Sequence, residues 1–439
     1  MKISSQSQQK IEETTPRVLD LKYPLNVQIE TTEGCNHSCF YCYNYWRTDS
    51  PLKNKMTEDN ASRLIDIILE DVKPFDLTIT GGEPLTNTKA TLKIAEKMGN
   101  KNRGYTLNTN LTLLDEENID NLLLRNKDFT ILTSLPHYRE EEFKKITGRD
   151  TLSLFYKNLE KSMKSNLRVV VNMVVHKLNK DSVYEEGKYL IENFGLKKFC
   201  ATPALKPSFR ESGDYFLDNN EIAPVLENLV RLKEDYGIEI ETLELVPYCL
   251  MSNKLKKEIS LRRSCSAGRT TMQINYNGDV RSCSHSPFIE GNLLTKNFRE
   301  IWDSLKPYRE NEYVPEECKE CAEVKYCVGG CRFVGFREGD SLERKDSRMV
   351  GKIDKFEPIA IPELDPNKTY SLRLKAYRDE GDDMFTIYNG RALRVNKNLL
   401  NFVLLLKENE GFRLNSFSEK FRDKAERISQ KLLLGGFLY

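Results

Sequence analysis

Three cysteines near the start of the chain have a spacing that could bind an iron–sulfur cluster. Cys35, Cys39 and Cys42 form a Cys-x3-Cys-x2-Cys triplet directly after a strand-like run at 25–30. A 4Fe–4S cluster held only by protein takes four cysteines, so this triplet would leave one iron open to a substrate or cofactor. The alternative is structural zinc, which prefers four closed ligands, and His37 could supply the fourth only within a very short loop. The triplet therefore predicts cluster chemistry.

A second motif, Gly81-Gly82-Glu83-Pro84, follows the strand predicted at 76–80. Glycine lets a backbone approach a ligand closely, and the Glu83 carboxylate could hold an amino group. Alone the motif is weak evidence, since turns rich in Gly and Pro are common. Its position after the strand that follows the cysteine loop makes the combination specific.

The elements that must position these motifs alternate between strand and helix. Strands are predicted at 25–30, 76–80, 105–108, 129–135, 167–175 and 198–202, with helices at 57–70, 88–98, from 115, at 152–165 and at 182–193. Such alternation is typical of an α/β fold with a parallel sheet. Because eight units close a barrel, about six predict an open, partial (β/α)6 barrel. Active sites of such barrels lie at the carboxyl ends of the strands, where both motifs fall.

Over residues 22–215 the two motifs resemble those of radical S-adenosylmethionine (SAM) enzymes. In that family SAM binds the open iron, and one electron cleaves it to methionine and a 5′-deoxyadenosyl radical that abstracts a substrate hydrogen. The resemblance implies that Cys35, Cys39 and Cys42 hold the cluster.

The resemblance also implies SAM-contacting residues at the ends of the first four strands. These are Tyr41 on the adenine side, Gly81, Gly82, Glu83 and Pro84 around the methionyl amine, Asn108 on the third strand, and Ser134 at the ribose. Asn108 and Asn110 stand where the family often has Thr-Asn-Gly, but the glycine is absent. For both asparagines and Ser134 the alternative is a satisfied strand-end side chain.

A second set of cysteines lies in the last third of the chain. Cys318-x2-Cys321-x5-Cys327-x3-Cys331 follows Cys265 and Cys283, and the pattern is similar to the SPASM region over residues 262–335. That region binds auxiliary 4Fe–4S clusters in peptide-modifying radical SAM enzymes. The resemblance implies one or two auxiliary clusters, the first on Cys265, Cys283 and Cys331 and the second on Cys318, Cys321 and Cys327. A zinc ribbon is the alternative for 318–331.

The SPASM pattern expects a seventh cysteine after Cys331, and the chain has none there. Asp340 and Asp346 are candidates to replace it at the second cluster. The first cluster also needs a fourth ligand, and Cys249 is the nearby spare cysteine.

The remaining cysteine and the histidines outside the cysteine loop have ordinary explanations. Cys200 is expected to be a small buried side chain. His137 and His176 are expected to be satisfied polar residues, and His285 is the histidine to test because it lies two residues after Cys283.

Five segments are predicted along the chain. They are a lead-in at 1–21, the barrel at 22–215, a helical linker at 216–261, the SPASM domain at 262–356 and a winged-helix-like α+β module at 357–439. In the last segment, strands are predicted at 372–377 and 384–388 and helices at 398–408 and 424–434, the second stopped by Gly435-Gly436. The pattern resembles modules that hold leader peptides by β-augmentation. A plain docking domain or a DNA-binding winged helix are alternatives, but interleaved acidic residues argue against DNA.

Composition limits the partners. The 67 lysines and arginines nearly balance the 66 aspartates and glutamates, so no global charge indicates nucleic acid or an anionic membrane. Without a signal peptide or an apolar run near the roughly 20 residues of a membrane span, a cytoplasmic location is expected. Eleven clustered cysteines favour metal over disulfides.

These features favour a radical SAM peptide maturase that crosslinks a ribosomally made precursor peptide through a thioether or carbon–carbon bond. An external one-electron donor such as flavodoxin or ferredoxin is expected. One alternative is an anaerobic sulfatase-maturing enzyme, although that family has an acidic base where this chain has Ser284. Another is a non-catalytic iron–sulfur or zinc adaptor with a DNA- or partner-binding module.

Overall fold

A computed structural model describes most of the chain. The described residues are 21–44, 54–206, 214–260, 264–356, 363–372, 376–381, 383–388, 391–396, 403, 411–434 and 437–438. They belong to two compact units, one formed by Asn26–Phe356 and the other by Met1–Leu25 with Glu357–Tyr439. The predicted lead-in up to residue 20, most of the predicted helix at 398–408 and the Gly435-Gly436 stop lie outside the described residues.

The larger unit is built on one open sheet in the order β10-β9-β8-β1-β2-β3-β4-β5-β6-β7. Strands β1 to β7 run parallel, and β8 is parallel to β1 on its other side. The strands are Asn26–Glu30, Asp76–Thr80, Tyr105–Thr109, Phe129–Ser134, Arg168–Val175, Lys198–Pro203, Glu239–Glu241, Thr271–Ile274, Asp279–Arg281 and Gly291–Asn292. All six predicted strands are present, and the open, partial barrel is confirmed.

Helices α1 to α7 connect the parallel strands: Glu58–Ile67, Thr88–Asn100, Glu116–Arg125, Glu140–Thr147, Leu152–Lys164, Val183–Phe194 and Asn219–Tyr236. Two of them begin where the sequence indicates, because Thr57 and Asp115 accept hydrogen bonds from Asn60 N and Asn118 N as N-caps. Helix α4 was not predicted. It is a short helix of eight residues inserted between β4 and α5.

Apolar side chains on the parallel strands form the core. Val27, Ile29, Ile79, Leu107 and Ile131 are fully buried, as expected for a parallel sheet covered by helices. Their burial removes apolar surface from water, which is the main favourable term in folding. The loops at the carboxyl ends of the strands are therefore held on a rigid base.

The second cysteine region joins the same sheet through β8. A buried ion pair reinforces this junction, because Arg281 on β9 donates to Glu30 at the end of β1, with an Nη2–Oε2 distance of 2.5 Å. Short helices follow at Phe298–Ser304, Lys306–Arg309, Glu316–Lys319, Val324–Cys327 and Arg332–Gly339. The helical turn Asn253–Leu255 precedes the region. The sequence did not indicate that this region extends the barrel sheet.

The smaller unit contains a three-stranded antiparallel sheet, β11-β12-β13, at Ala376–Asp379, Asp383–Tyr388 and Arg391–Asn396. Its helix Glu419–Leu434 packs in a separate apolar cluster that includes Tyr370, Phe412 and Leu432. The predicted strand at 384–388 and helix at 424–434 are confirmed, whereas the strand predicted at 372–377 is described only from Ala376. The resemblance to a winged helix stays a prediction, as do the domain boundaries.

Among the described residues, no helix combines the length and the apolar character that crossing a membrane would require.

Candidate active site

The loops after β1 and β2 are joined by their backbones. Gly82 N donates to Thr32 O at 2.8 Å, and Glu83 N donates to Gly34 O at 2.7 Å. A side chain at Gly82 would place its Cβ 2.2 Å from Gly34 O, and Gly81 has a φ of +147°. Both glycines are therefore required by the contact between the Gly-Gly-Glu-Pro turn and the cysteine loop, a reason that the sequence alone did not give.

Glu83 lies at the centre of this junction and is fully buried. Its carboxylate accepts hydrogen bonds from Leu85 N at 3.1 Å, Thr109 Oγ1 at 2.8 Å and Asn110 N at 2.7 Å. Burial raises the pKa of Glu83 to about 7 against these three hydrogen bonds, which lower it. Glu83 thus fixes the end of β3 to the β2 loop, and its role in holding SAM stays a prediction.

The cysteine loop is fixed from the same side. Cys35 Sγ accepts a hydrogen bond from His37 N at 3.4 Å and faces Asn110 Nδ2 at 3.9 Å, while Asn110 Nδ2 also donates to Asn36 Oδ1 at 2.7 Å. Burial, followed by the charge of Glu83, raises the pKa of the Cys35 thiol to about 12. Such a thiol is protonated at neutral pH unless a metal displaces its proton.

The thiols are not arranged around a single metal ion. Within the described ranges, no three His, Cys, Asp or Glu side chains are placed to hold one ion. A zinc ion with bonds of about 2.3 Å would bring its sulfur ligands close together, whereas the thiolates of a cuboidal cluster bind different irons.

Tyr41 lies in an aromatic group that includes His176. The ring centroids of Tyr41 and His176 are 5.6 Å apart, and those of Phe40 and His176 are 4.7 Å apart. Burial raises the pKa of the Tyr41 phenol well above its usual value, and the nearby Ser134 hydroxyl opposes that shift.

One buried polar atom beside Tyr41, His176 Nε2, makes no hydrogen bond to the described residues, whereas the Ser134 hydroxyl lies within hydrogen-bonding reach of the Tyr41 phenol. His176 Nδ1 accepts a hydrogen bond from Leu178 N at 3.3 Å, and burial lowers the His176 pKa to about 3. The neutral ring therefore carries its proton on Nε2. Unsatisfied buried polar atoms are rare in folded proteins, so this group fits a bound polar ligand such as SAM. The sequence did not single out His176 for this role.

Three other predicted residues have partners in the fold. Asn108 Nδ2 donates to Thr80 Oγ1 at 3.2 Å, and His137 contacts Arg139 N and Ser182 Oγ at 3.0 and 3.2 Å. Cys200 is fully buried within β6, as expected. Contact of Asn108 with SAM stays a prediction.

Cys265, Cys283 and Cys331 lie near one another and are called the first auxiliary group; their binding of one cluster stays a prediction. After burial, the largest influences on the pKa of Cys283 are Cys265 and Cys331, which raise it. The Glu244 carboxylate raises the pKa of all three thiols. Glu244 was missed because a single glutamate in the predicted linker carries no sequence signal.

His285 connects Glu244 to the cysteine loop. Arg337 donates to His285 Nδ1 at 3.3 Å, which leaves the proton on Nε2, and Nε2 lies 3.0 Å from Glu244 Oε1. The His285 ring also contacts Tyr43 of the cysteine loop, and the two ring centroids are 4.6 Å apart. A carboxylate–histidine pair thus lies between Tyr43 and the first auxiliary group.

The other cysteines lie around a cavity and are called the second auxiliary group. Its lining includes Cys318, Cys321, Cys327 and also Cys249. The expectation that Cys249 completes the first group is therefore wrong: the turn that carries it packs against the second.

Neither aspartate candidate lines this cavity. Asp346 is fully buried, accepts from Cys331 N at 2.9 Å and pairs with Arg348 at 2.7 Å. Asp340 is exposed at the end of helix Arg332–Gly339. Both expectations for the second cluster are corrected, because one side chain is already paired and the other lies at a helix end.

Comparison with known proteins agrees with this geometry. The radical SAM superfamily matches residues 29–190, and the SPASM iron–sulfur cluster-binding domain matches residues 265–322. The chain is 25% identical to an AdoMet-dependent heme synthase of Methanosarcina barkeri over 73% of this chain and 95% of the relative. It is also 25% identical to a cysteine-type anaerobic sulfatase-maturating enzyme of Clostridium perfringens, over 78% and 97%.

Among solved structures, Streptococcus suis SuiB bound to S-adenosylmethionine is similar with a TM-score of 0.63 and 18% identity. The match covers 78% of this chain and 80% of SuiB. SuiB bound to its precursor peptide SuiA gives the same TM-score. At this identity the likeness establishes a shared fold.

Proposed function

Because the chain belongs to the radical SAM superfamily and carries a SPASM domain, we propose that this enzyme crosslinks residues within a ribosomally made precursor peptide. The bond formed is a thioether or a carbon–carbon bond. The cofactors are SAM, the 4Fe–4S cluster that binds it, and auxiliary 4Fe–4S clusters. When bound, they supply the one-electron cleavage of SAM that generates a hydrogen-abstracting carbon radical.

The cofactor-binding residues divide by location. Cys35, Cys39 and Cys42 hold the SAM-binding cluster. Tyr41, Ser134 and the Nε2–H of His176 border the SAM molecule, while Gly81, Gly82, Glu83, Pro84 and Asn108 complete the strand-end loops around it. The buried Nε2–H of His176, which makes no hydrogen bond to the described residues, supports this placement because a ligand would supply its partner.

The observation that carries the proposal is the Glu244–His285 pair between Tyr43 and the first auxiliary group. Closing a crosslink removes two hydrogens from the peptide. One leaves as a hydrogen atom and ends in 5′-deoxyadenosine. The other leaves as a proton, which Glu244 accepts, and a bound auxiliary iron–sulfur cluster would take up the remaining electron. The cleavage of SAM consumes one electron from an external donor such as flavodoxin or ferredoxin.

The smaller unit is the proposed leader-binding module. Strands β11 and β13 are the outer strands of its described three-stranded sheet, and an outer strand can pair with an extended peptide. SuiB, which shares the fold, has been solved with a precursor peptide. A peptide held this way would reach the barrel as a tethered substrate.

The test is anaerobic incubation of the reconstituted enzyme, SAM and dithionite with a candidate precursor peptide, such as any short peptide whose gene is found next to that of the enzyme. Mass spectrometry should find a peptide that has lost two hydrogens. Glu244→Gln should reduce this product by roughly a hundredfold, in line with the loss of a general base, while 5′-deoxyadenosine still forms. Ser284→Ala is the matched control and should keep most of the product. An unmodified peptide in the presence of abundant 5′-deoxyadenosine would refute the proposal.

Sulfatase maturation is the second candidate, favoured by one observation. Ser284 follows Cys283 where the maturases carry an acidic base, but Glu244 brings a carboxylate to the same thiol. Conversion of a cysteine to formylglycine would release its sulfur, so the two products differ in sulfur content. The same mass spectrum therefore distinguishes the two functions.

A further inference from the structure

The SPASM pattern assigns only three cysteines of this chain to the second auxiliary group. The structure places four thiols there. Cys318, Cys321 and Cys327 come from the cysteine-dense segment, and Cys249 comes from far upstream, before the SPASM match begins. All four line one cavity. Burial raises the pKa of the Cys318 thiol, and the neighbouring thiols raise it further: Cys327, Cys321 and Cys249. The four sulfurs thus share one space.

A short turn brings Cys249 to the cavity. The 3₁₀ turn Tyr248–Leu250 begins after Pro247, and Tyr248 is almost fully buried. The backbone at Tyr248 also hydrogen-bonds the Cys327 thiol, which lowers its pKa against the effect of burial. A buried anchor and a hydrogen bond to a neighbouring cysteine therefore fix the position of the Cys249 turn.

The walls of the cavity are suited to thiolates. Ile353 N donates to Cys321 Sγ at 3.4 Å, and the backbones of Gly329 and Gly330 hydrogen-bond the Cys327 thiol. Amide donors stabilise the charged form of a thiol and are a common tuning element around iron–sulfur ligands. Met349 Sδ lies 3.7 Å from Cys318 Sγ and adds an apolar side.

The chain reverses direction between the two auxiliary groups. Val328, Gly329 and Gly330 have φ values of +49°, +79° and +80°, a left-handed run that sends Cys327 and Cys331 to different sites. A Cβ on Gly330 would lie 2.7 Å from Asp346 Oδ2, so the turn also requires glycine there. Cys331 consequently belongs to the first group and is not available to the second.

We propose that Cys249, Cys318, Cys321 and Cys327 bind one 4Fe–4S cluster with four thiolates, Cys249 replacing the downstream cysteine that this chain lacks. The first auxiliary group then holds its cluster with three thiolates, and the fourth ligand position of that cluster stays open beside Glu244. This assignment rests on the SPASM membership of the chain and is independent of the peptide substrate.

Glu323 is the competing ligand, because it lines the same cavity and is nearly fully buried. An oxygen ligand from Glu323 would make Cys249 dispensable. The two assignments therefore predict opposite results for single substitutions at the two positions.

The experiment uses full-length protein reconstituted anaerobically with iron and sulfide, in a background where Cys35, Cys39 and Cys42 are alanine. This background leaves only the auxiliary sites. Cys249→Ala should lose up to half of the remaining iron or, after mild oxidation, show the electron paramagnetic resonance signal of a three-iron cluster. Cys200→Ala is the matched control, since it removes a buried thiol outside the sites, and should keep the iron. Full iron and an unchanged spectrum in Cys249→Ala, with iron lost in Glu323→Gln, would overturn the proposal, as would equimolar zinc in the reconstituted protein.

A second measurement needs no substitution. The native holoprotein is alkylated with iodoacetamide before and after removal of iron by a chelator, and each cysteine is quantified by mass spectrometry. Cys249 should be protected to the same extent as Cys318, Cys321 and Cys327 and become reactive together with them. Modification of Cys249 in the intact holoprotein while the other three remain protected would overturn the assignment.

Discussion

Substitution of Thr109 by valine tests whether Glu83 holds the strand-end loops together. The Thr109 hydroxyl donates to Glu83 Oε1 at 2.8 Å and accepts from Leu111 N at 3.0 Å. Valine keeps the shape of threonine but removes both hydrogen bonds at a buried position. Thr106→Val on the same strand, at a partly exposed position, is the matched control.

The structure sets the size of the effect. A hydrogen bond to a charged group contributes about 1.5–3 kcal/mol, and an unsatisfied buried N–H costs about 1–3 kcal/mol. We therefore expect Thr109→Val to lose about 2.5–6 kcal/mol of unfolding free energy. With an unfolding entropy of about 2.1 cal/mol/K per residue, a loss near 3 kcal/mol lowers the Tm of the Asn26–Phe356 unit by roughly 4 °C.

Differential scanning calorimetry of the cofactor-free proteins measures this shift. A pH of about 8 keeps the Glu83 carboxylate ionised, since its pKa is about 7. Thr106→Val should change the Tm by about 1 °C or less, as expected for a substitution away from such a network. Equal Tm values for Thr109→Val and Thr106→Val would refute the role given to Glu83.

Three further predictions follow from other parts of the structure. The pKa of His176 is about 3 in the folded chain and about 6.5 in the unfolded chain. Below about pH 6.5 the unfolded chain therefore binds a proton that the folded chain does not bind, and the free energy of unfolding falls as the pH falls from 6.5 towards 3. His176→Phe should remove about 1.4 kcal/mol per pH unit from that acid dependence in urea unfolding, and an unchanged slope would contradict the burial of a neutral ring. Deleting 357–439 should weaken binding of a fluorescent precursor peptide at least tenfold while SAM cleavage without peptide stays within about twofold; unchanged affinity would dismiss leader binding. Alanine at Cys35, Cys39 and Cys42 together should remove about four irons per chain and abolish SAM cleavage, and full iron retention would refute the cluster loop.

The barrel strands could be predicted from sequence because each is a short apolar run that ends in a recognisable loop. The strand Asp76–Thr80, for example, is followed directly by Gly81-Gly82. Strand β7, Glu239–Glu241, was missed because it has three residues and only one of them is apolar. Local patterns identify elements whose own residues determine them.

Long-range pairing could not be predicted in the same way. The parallel pairing of β8 with β1 joins Thr271 to Asn26, and nothing in either segment encodes the other. The buried Glu30–Arg281 pair that supports it links residues 251 positions apart. Attachment of the second cysteine region to the barrel is therefore a property of the tertiary structure.

The candidate site also combines features that local sequence predicts with features that depend on tertiary contacts. The cysteine spacing predicts which thiols are candidates to bind the SAM-binding cluster, because one loop supplies all three of them. The grouping of Cys249 with the second auxiliary group depends on where Tyr248 is buried. The roles of Glu244 and His176 likewise depend on neighbours from other elements, His285 and Tyr41.

The most direct test of the proposed function follows hydrogen from the peptide to SAM. The reconstituted enzyme is incubated anaerobically with SAM, dithionite and a candidate precursor peptide whose carbon-bound hydrogens are deuterium, and 5′-deoxyadenosine is analysed by mass spectrometry. Peptide crosslinking by hydrogen abstraction predicts one deuterium in 5′-deoxyadenosine. The peptide should lose one deuterium and one exchangeable hydrogen if a thioether forms, or two deuterium atoms if a carbon–carbon bond forms. Abundant 5′-deoxyadenosine without deuterium, beside an unchanged peptide, would contradict it.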